Sequence, residues 1–270
     1  MICFVEAIKE ETPDVRTYRL KFKDQQKNTN FAWLPGQFVQ FSLFGSGECT
    51  FCIASSPTRK GSFECSIKKV GTVTSDIHDL LDEGREIGIR GPYGNSFPIE
   101  ELKKKNLLFI GGGIGIAPLR SLIQYVLDSR SDYCDITLLY GARTPIDIMY
   151  KNEIEDWEKK HSVKVILTVD KADEKWNKCI GHVPSVLENI VKPQIENTKV
   201  ITCGPPVMIK FTIQSLIKMG FQPREIITTL EMKMQCGIGK CGHCNIGSMY
   251  ICKDGPVFNC EQLKSFPGVY

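Results

Sequence analysis

The spacing of apolar residues changes character twice along the chain. Up to about residue 98 the apolar positions come in short bursts. Val15-Arg16-Thr17-Tyr18-Arg19-Leu20-Lys21-Phe22 largely alternates, Phe38-Val39-Gln40-Phe41-Ser42-Leu43 follows a Pro35-Gly36 turn, and Ser62 to Ile67 alternates as a half-buried strand should. Short strands separated by turn signals predict a small β-barrel or sandwich. From Leu107 to Thr228 the pattern switches to buried strand runs followed by helical runs. Leu107 to Ile110 precedes a helix over Leu119 to Leu127, Ile136 to Tyr140 precedes a helix over Ile154 to Lys160, and Val163 to Val169 follows. Strands alternating with helices predict a parallel sheet. From Thr229 to Tyr270 the chain is Gly- and Cys-rich and too short to bury a core alone. The expected domains are a barrel over 1–100, an α/β domain over 101–228 and a small cysteine region over 229–270.

Length and composition fit this division. A chain of 270 residues with 42% hydrophobic positions holds one or two domains plus an extra. A net charge of +3, with signs interspersed, argues against nucleic acid as the main partner. No run reaches the ~18 apolar residues of a membrane span. The best stretch, Leu107 to Leu122, contains Gly111, Gly112, Gly113, Gly115, Pro118 and Arg120. The first residues, Met1-Ile2-Cys3-Phe4-Val5-Glu6, have no basic region before a long apolar run. A cytoplasmic location is expected.

Cysteine usage is the sharpest chemical signal. Five of the twelve cysteines fall between Cys236 and Cys260. Cys236-x4-Cys241-x2-Cys244 has the plant-type ferredoxin spacing for a 2Fe-2S cluster. Gly237, Gly239 and Gly242 suit a tight loop that turns N–H groups toward sulfur. On spacing alone the fourth ligand is Cys252 or Cys260, and a four-thiolate zinc site is the rival. His243 reads as a loop residue, with a ligand or N–H donor role as the alternative.

A second signal is the turn Gly111-Gly112-Gly113-Ile114-Gly115-Ile116-Ala117-Pro118, set between a strand and a helix. Glycines there let a dinucleotide pyrophosphate approach the backbone and the helix N-terminus. Gly112, Gly113, Gly115, Ala117 and Pro118 are the candidate contacts. After the next strand, Gly141-Ala142-Arg143-Thr144 offers Arg143 to the 2′-phosphate of NADP, or simply to solvent. Cys203-Gly204-Pro205-Pro206 follows another strand and is expected at the same crevice.

Together these pieces resemble the ferredoxin-NADP reductase superfamily. The closer match is its iron–sulfur branch, which holds the electron-transfer subunit of dihydroorotate dehydrogenase, the corresponding subunit of anaerobic sulfite reductase and the gamma subunit of sulfhydrogenase. The resemblance rests on Pro35-Gly36-Gln37-Phe38, Arg90-Gly91-Pro92-Tyr93-Gly94, the Gly111 to Pro118 turn, Cys203-Gly204-Pro205-Pro206 with Met208, and Cys252-Lys253-Asp254-Gly255-Pro256-Val257-Phe258. It implies Cys252 as the fourth ligand and FAD in the barrel. The family's Arg-x-Tyr-Ser flavin signature aligns with Cys49-Thr50-Phe51-Cys52, so its arginine is absent and cysteine replaces its serine. Ile67, Lys68 and Lys69 follow on a neighbouring strand, and either lysine is a candidate for the missing charge. Gly71, Val73 and Thr74 resemble the family's second pyrophosphate loop, at a helix N-terminus. Cys49-x2-Cys52 also raises a redox-active thiol pair beside the flavin, against two small packed residues.

The resemblance implies that NAD(P)H docks on the α/β domain with its nicotinamide beside Cys203, the catalytic candidate. Hydride then passes to FAD, and single electrons pass to the 2Fe-2S cluster and on to a catalytic redox partner subunit in a hetero-oligomer. That partner would be a sulfite reductase, a hydrogenase or a dihydroorotate dehydrogenase core. The rival from another class is a non-catalytic, zinc-stapled, nucleotide-sensing regulatory subunit. Tyr270 reads as an ordinary tail residue.

Overall fold

The structure, a computed structural model, describes residues 1–266; the tail, Tyr270 included, lies outside the described residues. The chain divides into two compact units. The first comprises Met1–Phe97, Arg120–Tyr125 and Leu230–Pro256; the second comprises Pro98–Leu119, Val126–Thr229 and the chain from Val257.

The first unit is built on six strands, β1 (Ile2–Thr12), β2 (Val15–Phe22), β3 (Phe38–Leu43), β4 (Gly47–Cys52), β5 (Phe63–Lys68) and β6 (Glu86–Tyr93). They form one antiparallel sheet in the order β4-β3-β6-β1-β2-β5. The Ala54 N–H, just past β4, donates to the Glu64 carbonyl of β5 at 2.7 Å and so brings the sheet's two ends together. Alternate positions point inward, so Tyr18, Leu20, Phe22, Val39, Phe41, Phe63, Ile67, Ile87 and Ile89 make one apolar core.

Strand β5 departs from the expected half-buried pattern, because both of its faces are covered from Phe63 to Ile67. The outward Glu64 receives Arg120 at 2.7 Å and Arg19 at 2.9 Å, and the Ser66 hydroxyl meets that of Thr17 at 2.7 Å. Burial alone would raise the Glu64 carboxyl, but Arg120 and then Arg19 outweigh it and hold it below the usual carboxylate range. A buried carboxylate is tolerated there because it is paired and hydrogen-bonded.

The second unit holds a seven-stranded sheet: β7 (Asn106–Gly112), β8 (Ile136–Ala142), β9 (Val163–Val169), β10 (Cys179–Ile180), β11 (Thr198–Cys203), β12 (Ile226–Thr229) and β15 (Val257–Asn259). Its order is β10-β9-β8-β7-β11-β12-β15, parallel throughout except for β15, which runs antiparallel to β12. The chain leaves β7 toward one edge and returns to β7's other side at β11. The strand order therefore reverses between β7 and β11, and this makes a switch-point crevice beyond their C-terminal ends. Two short strands, β13 (Asn245–Ile246) and β14 (Met249–Tyr250), form a hairpin within the cysteine region. No helix among the described residues is long and apolar enough to cross a membrane.

Candidate cofactor sites

In the second unit, β7 ends at Gly112 and the chain turns through Gly113–Gly115 into the helix Ile116–Asp128. β11 ends beside it, with Cys203 in register with Gly111. The two strand ends touch backbone to backbone. A Cβ on Gly115 would stand 2.5 Å from both the Cys203 carbonyl oxygen and the Gly204 Cα, and one on Gly204 would stand 3.1 Å from the Gly112 nitrogen. Gly113 lies at φ +53° with nothing within 4 Å of its Cβ direction, so this part of the turn is open. The helix that follows has no acidic residue in its first turn. Open backbone at an uncapped helix N-terminus fits a pyrophosphate.

The structure thus brings Gly112, Gly113, Gly115, Ala117 and Pro118 to the same sheet end as Cys203, Gly204 and Pro205. The Cys203 side chain is buried, and its Sγ lies 2.9 Å from the Thr229 hydroxyl at the end of β12. Gly141 lies at the end of β8, where a Cβ would reach within 2.3 Å of Val183. Arg143, just past that strand, has a side chain 67% exposed and pairs with Asp147 at 3.2 Å.

In the first unit, the flavin-signature residues Cys49, Thr50, Phe51 and Cys52 all lie on β4. Successive strand residues point to opposite faces, so Cys49 and Cys52 diverge, with Cα atoms roughly 10 Å apart at strand rise. A disulfide needs less than about 7 Å. Phe51 packs edge-on against Phe41, with ring centroids 5.7 Å apart, and the Thr50 hydroxyl donates to Gln40 Oε1 at 3.0 Å. Gln40 is 1% exposed, and its Nε2 has no partner among the described residues. It is a buried donor of the kind that a bound polar group satisfies.

Gly71 opens the helix Thr72–Leu80, whose first turn carries no acid. The Thr74 hydroxyl accepts from the Val70 and Gly71 N–H groups at 3.0 and 2.8 Å and pins the turn. Nothing lies within 4 Å of a Cβ on Gly71, and Val73 packs 3.0 Å from a Cβ placed on Gly47 of β4. The first N–H groups of a helix lack intrahelical partners, so this open end fits an anion. Ile67 is in the barrel core, and its carbonyl meets His78 Nε2 at 2.9 Å. Lys68 pairs with Asp14 at 3.3 Å and Lys69 with Asp79 at 2.5 Å, so both candidate cations already face a carboxylate.

The cysteine loop also belongs to the first unit. Cys236 Sγ accepts from the N–H groups of Ile238, Lys240 and Cys241 at 3.4, 3.3 and 3.5 Å. Cys252 Sγ accepts from Gly239 N–H at 3.0 Å, and Cys244 Sγ from Cys252 N–H at 3.4 Å. The thiols stand in two pairs, Cys236 with Cys241 and Cys244 with Cys252. Among the described residues no three His, Cys, Asp or Glu side chains converge as a single metal ion requires. Two pairs of cysteine sulfurs, three of the four accepting backbone N–H groups, fit a cluster of two irons with two cysteines each. The Ile238 N–H, ahead of the other donors, lowers the Cys236 thiol to about 6, while burial and the neighbouring Cys244 push Cys252 up to about 12. Cys260, the other spacing-compatible residue, lies in the core of the second unit, where burial pushes its thiol up to about 12. His243 is exposed.

The loop rests on β6 through residues to which the sequence pattern assigns no role. Arg90 Nη1 donates to the Cys236 carbonyl at 3.1 Å and Nη2 to that of Gln235 at 3.2 Å. The Asn95 N–H donates to the Gly255 carbonyl at 2.6 Å. Gly237 lies against the Tyr93 ring, and a Cβ there would be 2.7 Å from Cδ2. The one signal in the sequence is the Arg90-Gly91-Pro92-Tyr93-Gly94 string itself, whose polar partners lie far along the chain.

Comparison with known proteins agrees with this geometry. Residues 3–97 match the oxidoreductase FAD-binding domain, 109–214 the oxidoreductase NAD-binding domain, and 231–264 the iron–sulfur cluster binding domain of dihydroorotate dehydrogenase B. The protein is thus an oxidoreductase subunit that carries electrons among a nicotinamide dinucleotide, FAD and an iron–sulfur cluster. It belongs to the iron–sulfur branch of the ferredoxin-NADP reductase superfamily. Sulfhydrogenase 1 subunit gamma of Pyrococcus furiosus is 41% identical, over 96% of this chain and 90% of the relative. Sulfhydrogenase 2 subunit gamma of the same organism is 42% identical over 97% and 95%. A probable dihydroorotate dehydrogenase B electron transfer subunit of Methanocaldococcus jannaschii is 31% identical over 98% and 91%. Among solved structures, an NADH-dependent reduced ferredoxin-NADP oxidoreductase shares the fold with a TM-score of 0.78 at 24% identity, over 97% of this chain and 89% of that one.

Proposed function

We propose that this chain is the NAD(P)H-oxidising electron-transfer subunit of a hydrogenase-type complex in the cytoplasm, with a 2Fe-2S cluster on Cys236, Cys241, Cys244 and Cys252. The observation that carries the reading is the grouping of those four cysteines into two pairs, with backbone N–H groups on Cys236, Cys244 and Cys252, in the unit that also holds the flavin-signature strand. When bound, FAD supplies the conversion between hydride transfer and one-electron transfer. The chain's own residues bind, orient and insulate. Gly71 and Thr74 hold open a helix N-terminus for the FAD pyrophosphate, while Thr50 and Cys52, on one face of β4, border the flavin and Phe51 anchors the strand on the core. With Lys68 and Lys69 already paired, that helix end carries the charge compensation expected of the absent arginine. Gly112, Gly113 and Gly115 admit the NAD(P)H pyrophosphate. Cys203, its thiol fixed on Thr229, shapes the crevice lip beside the nicotinamide with Gly204 and Pro205.

The hydrogenase-type partner is favoured by identities of 41–42% with the sulfhydrogenase gamma subunits, against 30–34% with the dihydroorotate dehydrogenase subunits. The cytoplasmic assignment is supported by the cluster reading itself, since thiolates kept for metal rather than for disulfides suit a reducing compartment. Purification of the native complex tests the whole reading: the chain should carry FAD, two irons and two sulfides, and should co-purify with a hydrogen-activating subunit. A colourless, zinc-bearing chain would overturn it.

NADPH is the proposed dinucleotide. Arg143 stands exposed just past β8, and the following residue, Thr144, is tied down with Asp147 rather than leaving an acid free for a ribose hydroxyl. Arg143→Ala is expected to raise KM for NADPH about tenfold, the loss of one charge-assisted hydrogen bond, and to leave KM for NADH within about twofold. Equal effects on both dinucleotides in steady-state assays would remove the assignment.

A further inference from the structure

We propose that Arg90 both seats the cluster loop and sets the cluster's reduction potential, with Glu48 as its counter-charge. This rests on the reading of the four loop cysteines as cluster ligands.

Arg90 on β6 lies opposite Gln40 of β3, and Gln40 lies opposite Thr50 of β4. Residues facing one another across a ladder share a sheet face, as do residues two apart on one strand. Glu48, Thr50, Gln40 and Arg90 therefore line one face, beside the strand that carries the flavin signature. The guanidinium divides its donors. Nε and Nη2 go to Glu48, the first at 3.2 Å and the second in a very close contact. Nη1 and Nη2 also reach the carbonyls of Cys236 and Gln235. One planar cation thus joins β4 to the backbone of a cluster ligand. A lysine could supply the charge but not this fork.

The charge has a direction of effect. A cluster becomes more negative on reduction, and its potential follows net charge and hydrogen bonding around it. A cation bonded to the backbone of Cys236 favours the reduced state. Glu48 opposes it, and it also accepts from the Ser42 hydroxyl at 2.6 Å. The Arg90 hydrogen bond foremost keeps the Glu48 carboxyl below its usual range, so the counter-charge is present at neutral pH. The pair behaves as a setting with two opposed handles, one on each strand.

The test uses the complete FAD- and iron-loaded chain. Wild type, Glu48→Gln, Arg90→Gln and Arg90→Lys are assayed for iron, sulfide and FAD, and the cluster is titrated by EPR at controlled potential. Glu48→Gln keeps an oxygen for Arg90 and removes the negative charge. It is expected to increase the reduced-to-oxidised ratio at the wild-type midpoint at least threefold. Arg90→Gln is expected to decrease that ratio about tenfold, which is 59 mV for a one-electron couple. Arg90→Lys should hold the midpoint nearer wild type while altering the EPR line shape, because the carbonyl fork is lost. Opposite signs for Glu48→Gln and Arg90→Gln are the signature, since a purely structural role would move both the same way. Shifts of the same sign, or none in iron-replete protein, would overturn the proposal. Should Arg90→Gln lose its iron, the seating role stands and Glu48→Gln decides the potential at low ionic strength, where an unchanged midpoint overturns it. Wild type without iron and sulfide would instead defeat the cluster reading itself.

Discussion

Cys252→Ser is expected to abolish the cluster while leaving reduction of the flavin by NAD(P)H in place. Cys252 is 1% exposed, and its Sγ receives the Gly239 N–H while its own N–H reaches Cys244 Sγ. It is therefore both half of the inner thiol pair and the clamp between the two arms of the loop. A serine oxygen is a poor substitute for a soft thiolate toward an iron–sulfur cluster. Iron and sulfide analysis should fall to background, and the EPR signal of the reduced cluster should disappear. Addition of NAD(P)H should still bleach the flavin band, because the dinucleotide crevice and Gly71 share no residue with the loop. Cys260→Ser is the matched control. That thiol sits in the second unit's core with Phe221 and Ile226, so the variant should keep full iron. It should lose about 1–3 kcal/mol of stability from burying a hydroxyl without a partner. Loss of iron in Cys260→Ser with retention in Cys252→Ser would reverse the ligand assignment.

The sequence carried the local parts of this picture and missed the long-range ones. Periodicity found the barrel strands and the strand–helix alternation, because each depends on residues within one element. Cysteine spacing found the loop for the same reason. Spacing could not choose between Cys252 and Cys260; the fold puts Cys260 in a hydrophobic core and Cys252 beside Cys244, a difference that no local pattern carries. The burial of β5 on both faces was not legible, since it depends on Arg120, 56 positions along the chain from Glu64. Nor was the engagement of Lys68 and Lys69, whose acids Asp14 and Asp79 lie on other elements. The Cys49-x2-Cys52 string admits in one dimension both a thiol pair and two packed residues, but on a strand an offset of three turns the two side chains to opposite faces. Arg90 stood in plain view within a family motif, yet its partners Gln235 and Cys236 are more than 140 positions away.

Gly115→Ala should cost the dinucleotide site the most of any single methyl group. Its Cβ would stand 2.5 Å from the Cys203 carbonyl and from the Gly204 Cα, both backbone atoms of a central strand end. Nothing there can rotate away, so the turn or the end of β11 must move. Overpacking of this kind costs ~1–3 kcal/mol. If that cost falls on the bound geometry, kcat/KM for NAD(P)H-driven flavin reduction drops roughly 10- to 100-fold. Chemical reduction of FAD and cluster by dithionite should be unaffected, since neither seat includes the turn. Two neighbouring glycines calibrate the effect. A Cβ on Gly112 meets Met208 Sδ at 2.4 Å, on a flexible side chain that can swing aside, and Pro205 Cδ at 3.1 Å, which must give by a few tenths of an ångström. A Cβ on Gly113 meets nothing within 4 Å but must accept φ +53°, a left-handed penalty of about 1–2 kcal/mol without a clash. The expected order of damage is Gly115→Ala first, with Gly113→Ala and Gly112→Ala milder. Wild-type NAD(P)H kinetics in Gly115→Ala would mean that the dinucleotide does not use the crevice between β7 and β11.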